Sequence, residues 1–167
     1  IIHRMMDFTR KQEPVISDLD LSELIQEMVD FCESTAERHH VRVVCQVPAG
    51  LPLVRGDRVQ LEQVLLNLIV NAIEASAYDC EEPFATVRVK VDDQVPGHVC
   101  VRVEDQGGGI SEADLPRLFD RFFSTKQSGL GMGLAISRTL VENLGGELWA
   151  ENLPERGARF SFTLDAA

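Results

Sequence analysis

The sequence predicts an α/β two-layer sandwich, a sheet with helices packed on one face, and three observations carry that expectation. ATVRVKV (residues 85–91) and HVCVRVE (98–104) alternate apolar and polar side chains with period two, as half-buried strands do. Three stretches, about 21–39, 57–78 and 133–144, instead place apolar residues at helical spacing. Strand-like and helix-like segments also interleave along the chain, with no internal repeat or low-complexity tract.

Each element follows from its residues. Residues 1–13 read as the tail of a longer helix, with Ile1, Met5 and Phe8 on one face, and Pro14 disfavours helical geometry at Glu13. A polar linker, 14–20, follows. Asp20 or Ser22 can cap the next helix, whose buried side is expected to be Leu24, Ile25, Met28, Val29 and Phe31. His39 and His40 fall at its C-terminal end, where an imidazolium suits the helix dipole. VRVVCQV (41–47) is a strand and PAGLP a turn. Asp57 is a good N-cap for a long helix to about Tyr78, in which Leu61, Val64, Leu65, Leu68 and Ala72 should face the sheet. The two alternating runs form a hairpin around a turn containing Pro96-Gly97. Ser111 starts a short helical turn that includes Leu115 and Leu118, and Gly145-Gly146 terminates the helix 133–144. GELWAEN and ARFSFTL close the chain as a strand pair around the turn at 154–157.

Composition bounds the function. At 167 residues the chain has room for one domain with a sizeable core. Sixteen basic against 27 acidic residues give a net charge of −11, the wrong sign for a nucleic-acid binder. An anionic ligand would have to be held by local dipoles and a metal, because the overall field repels it. Cys32, Cys45, Cys80 and Cys100 are widely spaced, with no CxxC pair, and are expected to be reduced thiols of a cytosolic protein rather than metal ligands. No apolar run reaches the roughly 18 residues of a membrane span, so no membrane contact is expected within this chain. It begins with Ile, which suggests a piece of a longer protein that could be anchored elsewhere.

The chemistry concentrates between Glu104 and Gly133. Asp105 follows a strand and precedes Gly107 and Gly109; a carboxylate there can accept a hydrogen bond from a purine amino group, and the glycines let the backbone pass close to a flat ring. The same DxGxG pattern also suits a plain turn. Gly129, Gly131 and Gly133 lie where a helix opens, and its unpaired N–H groups and dipole favour phosphate, although glycine capping alone would look similar. The pattern is neither a Walker A loop nor a GxGxxG dinucleotide loop. Gln60, Gln63, Asn67, Asn71 and Glu74 make a polar stripe on the long helix. Such a stripe is usually a solvated side, yet amides propagate a helix less well than Lys or Glu, which points to function at Asn67 and Asn71.

Taken together, QLEQVLLNLIVNAIEAS (60–76), EDQGGGI, LFDRFFSTK and GLGMGLAIS resemble, in order, the N box, first glycine box, F box and second glycine box of the catalytic ATP-binding domain of two-component sensor histidine kinases. The resemblance covers about residues 21–164. It implies a Bergerat-type mixed sheet for 21–167, and it makes 1–13 the end of the dimerisation and phosphoacceptor hairpin, joined by the linker 14–20. The segment between Phe123 and Gly129 is as short as in oxygen-, nitrogen- and dicarboxylate-sensing kinases, whose ATP lids are brief.

By that resemblance the cofactors are ATP and Mg²⁺. Asn71 would be a metal ligand through its amide oxygen, and Asn67 would contact phosphate or a metal-bound water. Asp105 would accept the adenine amino group, with Gly107 and Gly109 shaping the pocket. Lys126 and the amides near Gly129, Leu130, Gly131 and Gly133 would hold the triphosphate. Phe119, Phe122 and Phe123 would anchor the lid or pack in the core. The γ-phosphoryl group would pass to a histidine on the hairpin, then to an aspartate on a response-regulator receiver domain, in a homodimeric and cytoplasmic kinase. None of His3, His39, His40 and His98 has the sequence context of the family's acceptor histidine. Two further departures are Glu74, where a basic residue is common, and Gly157-Ala158, where the wider superfamily often has Thr after the glycine. A clamp-type ATPase, an anti-sigma-type Ser kinase and a non-catalytic nucleotide-binding scaffold are the alternatives; the first would need a Glu where this chain has Asn67.

Overall fold

A computed structural model of the chain describes residues 13–79, 84–124 and 131–167. Strands β1 (Ile16–Leu19), β2 (Val41–Gln46), β3 (Val54–Asp57), β4 (Ala85–Asp92), β5 (His98–Glu104), β6 (Leu148–Asn152) and β7 (Ala158–Asp165) are joined by helices α1 (Leu21–Arg38), α2 (Arg58–Asp79) and α3 (Gly133–Asn143). Five strands form one mixed sheet in the order β2-β4-β5-β7-β6, in which β2 runs parallel to β4 and every other pair is antiparallel. The expected two-layer sandwich is what the chain forms.

The core lies where period two meets period 3.6. Val87, Val89, Val101, Val103, Phe162 and Leu164 project from one face of the sheet onto Leu61, Leu65, Leu68, Ile69 and Ile73 of α2. Each of those residues is buried. The outer face carries ion pairs instead, with the carboxylate of Glu104 2.9 Å from Lys90 and 3.8 Å from Arg159.

Asp20 is the N-cap of α1, its carboxylate accepting from Glu23 N, so the cap is Asp20 rather than Ser22. The buried stripe of that helix is Leu21, Leu24, Ile25, Cys32 and Ala36, and Phe31, expected inside, is 58% exposed. Cys32 holds the inward position, which turns the adjacent residue away from the core.

A further difference concerns the N-terminal segment. Residues 16–19, read as part of a polar linker, form β1, which pairs antiparallel with β3 from Ile16↔Asp57 to Leu19↔Val54. Neither strand announces itself. In β1 only Leu19 is buried, and β3 reads VRGD, with two residue types that strands disfavour. Asp57 joins this small sheet to α2: Oδ1 accepts from Gln60 N (3.0 Å) as the helix cap, and Oδ2 accepts from Val15 N (2.7 Å).

Candidate functional site

The site is built along α2. At the far end of that helix, the Ser76 hydroxyl, fully buried, accepts the N–H of Gln106 at 3.0 Å, and the Gln106 side chain accepts from Thr86 N at 2.7 Å. The loop after β5 is thereby seated on the helix. Gly107 lies so close to α2 that a Cβ there would fall 2.7 Å from the carbonyl oxygen of Ala75. No other residue fits that approach without moving backbone.

Asp105 stands at the start of this loop, 5% exposed. Its Oδ1 accepts both Gly107 N (2.9 Å) and Ala158 N (3.1 Å), and its own N–H donates to Ala158 O at 3.0 Å. Both backbone donors converge on one oxygen, so Oδ2 is the atom with capacity for a ligand donor. Burial pushes the Asp105 carboxyl above the ordinary carboxylate range, and the N–H groups of Gly107 and Ala158 pull it partly back. Where the wider superfamily often has Thr, Ala158 contributes its backbone N–H and carbonyl but no hydroxyl. Gly109 takes a positive φ (79°), and the next residue, Ile110, is held at both backbone atoms by Asn152, whose Oδ1 accepts from Ile110 N and whose Nδ2 donates to Ile110 O, each at 2.7 Å.

Nearer the start of α2 the stripe Gln60, Gln63, Asn67, Asn71 and Glu74 is half-buried at every position, so it is not the helix's solvated side. Asn67 and Asn71 lie one turn apart on the flank toward α3. The Asn67 Nδ2 donates to the buried Ser137 Oγ at 2.8 Å, and a Cβ on Gly133 would meet Asn67 Oδ1 at 2.6 Å. The first residue of α3 is therefore packed against the Asn67 amide, and α3 opens at Met132 with no side-chain cap and no acidic residue in its first turn. A helix start of this kind, without a side-chain cap, favours an anion. From Asn67 to Ser76 is nine residues, about 13 Å of helix axis, the separation between the two halves of the site.

The F-box aromatics divide. Phe119 packs edge-on against Phe160 (6.5 Å between centroids) beneath the guanidinium of Arg138, and Phe123 is half-buried under Arg117. Phe122 is 73% exposed with φ 65°, and its N–H donates to Gly131 O at 2.9 Å. Asn67, Asn71, Asp105, Gly107, Gly109, Gly131 and Gly133 thus all sit around one flank of α2 and the loops beside it. Lys126, Gly129 and Leu130 lie outside the described residues.

Sequence reasoning missed Ser76, Gln106, Ser137 and Asn152. Three are small polar residues inside helices or at a strand end, where a serine or asparagine reads as a cap or turn former. Only the helical spacing of Ser137, four after Gly133, hinted that it shares a face with the glycine cluster.

A mixed sheet backed by helices, with an acidic strand end and an uncapped helix N-terminus on one helix flank, defines a nucleotide-binding α/β domain. Residues 56–167 match the family described as Histidine kinase-, DNA gyrase B-, and HSP90-like ATPase, and the chain belongs to it, on the sensor histidine kinase side. It is 38% identical over 167 residues to Sensor protein FixL of Bradyrhizobium diazoefficiens, covering 100% of this chain and 32% of that protein. With the C4-dicarboxylate transport sensor protein DctS of Rhodobacter capsulatus it shares 39% identity over 168 residues, covering 98% and 24%. The chain therefore spans a third or less of the length of these curated relatives. Among solved structures, the nucleotide-free catalytic domain of histidine kinase ThkA is similar, with a TM-score of 0.80 and 31% identity over 91% of this chain and 96% of that one. The same kinase in complex with response regulator protein TrrA gives a TM-score of 0.81 at 27% identity, covering 99% and 46%.

Proposed function

We propose that this ATP-binding domain holds Mg²⁺–ATP along the α2 flank and presents the γ-phosphoryl group to a histidine on a helical hairpin, for relay to an aspartate of a response-regulator receiver domain. The observation that carries the reading is Asp105: a buried carboxylate at a strand end, one oxygen held by two backbone N–H groups, the other with capacity for a donor. An adenine amino group is such a donor. Residues 1–13 would be the end of the hairpin, and the catalytic domain would begin with β1, which is paired with β3, in a homodimeric kinase working in the ATP-containing cytoplasm. Similarity to a kinase solved with its response regulator supports the relay.

The residues present fit Mg²⁺. Among the described residues no cluster of three His, Cys, Asp or Glu could hold a metal alone. Asn71 and Asn67 instead offer hard amide oxygens beside the start of α3, and Mg²⁺ is commonly held by one or two protein oxygens together with phosphate and water. When bound, the ion would neutralise charge on the triphosphate, which this acidic chain otherwise repels. The remaining work is positioning. Asp105 and the Gly107–Ile110 loop fix the base, α2 sets the distance to the phosphates, and the N–H groups at Gly133 meet their charge. The P–O bond to the ADP leaving group then breaks as a P–N bond to the incoming histidine forms. Lys126, Gly129 and Leu130 would contribute from the lid. Glu74 cannot pair with phosphate, because both are anionic.

Calorimetry tests the site. Wild-type protein should bind ATP or ADP in a Mg²⁺-dependent manner, and Asp105→Asn should nearly abolish binding, because its amide presents a donor where the base also has one. Unchanged affinity in that variant would overturn the adenine assignment.

A further inference from the structure

The β6–β7 hairpin reaches the loop after β5 at both of its ends. Asn152 and Ala158 are partners across the rung nearest the turn of that hairpin. Ala158 takes the start of the loop, where its N–H donates to Asp105 Oδ1 at 3.1 Å and its carbonyl accepts from Asp105 N at 3.0 Å. Asn152 takes the end, with Oδ1 accepting from Ile110 N and Nδ2 donating to Ile110 O, each at 2.7 Å. A backbone N–H can only donate and a backbone carbonyl can only accept, so this pair of contacts admits a single amide orientation. The amide does for Ile110 what a neighbouring strand would do, at a point where the chain has left the sheet. Two further contacts lie between the ends. Arg156 Nε donates to Gln106 O at 3.1 Å, and a Cβ on Gly109 would stand 3.0 Å from Asn152 Oδ1. Gly109, at φ 79°, thus packs its bare Cα against the same amide.

We infer that Asn152 is a positioning residue for base recognition: by fastening Ile110 to the same rung that holds Asp105, it fixes the span of the loop and so the place where Asp105 Oδ2 meets an amino group. One rung of the hairpin then sets both sides of the base pocket. The inference rests on the adenine reading of Asp105 above and adds to it the side chain that holds the pocket's far end. The phosphate end of the site lies on other elements, with Asn67 on α2 and Gly133 on α3, and among the described residues no hydrogen bond joins Asn152 to either. Loss of Asn152 therefore weakens recognition of the base and spares the contacts to phosphate and metal.

Asn152→Ala removes both bonds to Ile110. Asn152→Asp keeps an acceptor for Ile110 N and loses the donor to Ile110 O. Calorimetry in the presence of Mg²⁺ compares ADP with purine riboside diphosphate, which is ADP without the amino group, so the ratio of the two affinities reports the amino-group contact alone. That ratio should fall about fivefold in Asn152→Ala, the scale of one net hydrogen bond, and by less in Asn152→Asp. Hydrogen exchange at Ile110 N, measured without nucleotide, should quicken in the alanine variant. A ratio equal to wild type, or unchanged exchange at Ile110 N, overturns the positioning role. Equal losses for the two nucleotides also overturn it, because they report a general loosening of the hairpin. If the alanine variant does not fold, the aspartate variant decides alone, and a wild-type ratio there overturns the role. Wild-type protein that binds both nucleotides equally is a separate result: it overturns the adenine assignment of Asp105, and this role with it.

Discussion

Asp105 concentrates the account at the residue scale. Burial costs the ionised carboxylate hydration that two backbone N–H groups only partly replace, so its folded-state pKa is raised. For an acid shifted in this direction the folded state binds the proton more tightly than the unfolded one. The charged form is therefore a burden on stability at neutral pH, relieved as pH falls through the raised folded value toward the ordinary 3.8. Asp105→Asn keeps an acceptor for both N–H groups and removes the charge. The nucleotide-free variant should melt a few degrees above wild type at pH 7, with the gap closing as pH falls; a variant melting below wild type at pH 7 would contradict the burial argument. Stability and binding are set against each other at this residue, as expected where a site keeps an uncompensated group for its ligand. Asn152 and Gln106 do the opposite work, using side-chain hydrogen bonds to hold the backbone beside Asp105 in place.

At the scale of elements, α2 is the frame on which both halves of the site are mounted, and Asp57 fixes where it begins. Replacing Asp57 by Ala removes the cap on Gln60 N and the tie to Val15 N together. The expected cost is about 2 kcal/mol, the upper range for a cap, read as a lower urea midpoint with an unchanged slope; an unshifted midpoint would mean that β1 and the helix start are not coupled. α2, its cap and its apolar face were legible because 22 residues of consistent period outweigh local noise. The hairpin β4–β5 was equally plain, since its alternation is unbroken. The pair β1–β3 was not, because a four-residue strand with one buried side chain has no period to detect. The same limit applies to the site. Asp105, Asn67 and the glycines declared themselves by residue type at fixed spacing. Ser76 and Ser137 owe their roles to what faces them across 30 and 70 residues, and no local pattern encodes that.

For the whole molecule, a net charge of −11 opposes any triphosphate, and among the described residues the proposed binding surface offers oriented dipoles and amide oxygens. The Asp105 loop, the helix N-terminus at Gly133 and the two asparagines are brought together by one helix lying across a sheet, an arrangement suited to fixing a nucleotide and leaving its last phosphate to an outside nucleophile. The most direct measurement of that claim combines this chain with a separately prepared phosphoacceptor hairpin, Mg²⁺ and ATP labelled at the γ-phosphate. Acid-labile label on a hairpin histidine, lost with Asp105→Asn, is the predicted result. Steady release of labelled phosphate with an unlabelled hairpin would contradict histidine phosphorylation and indicate an ATPase.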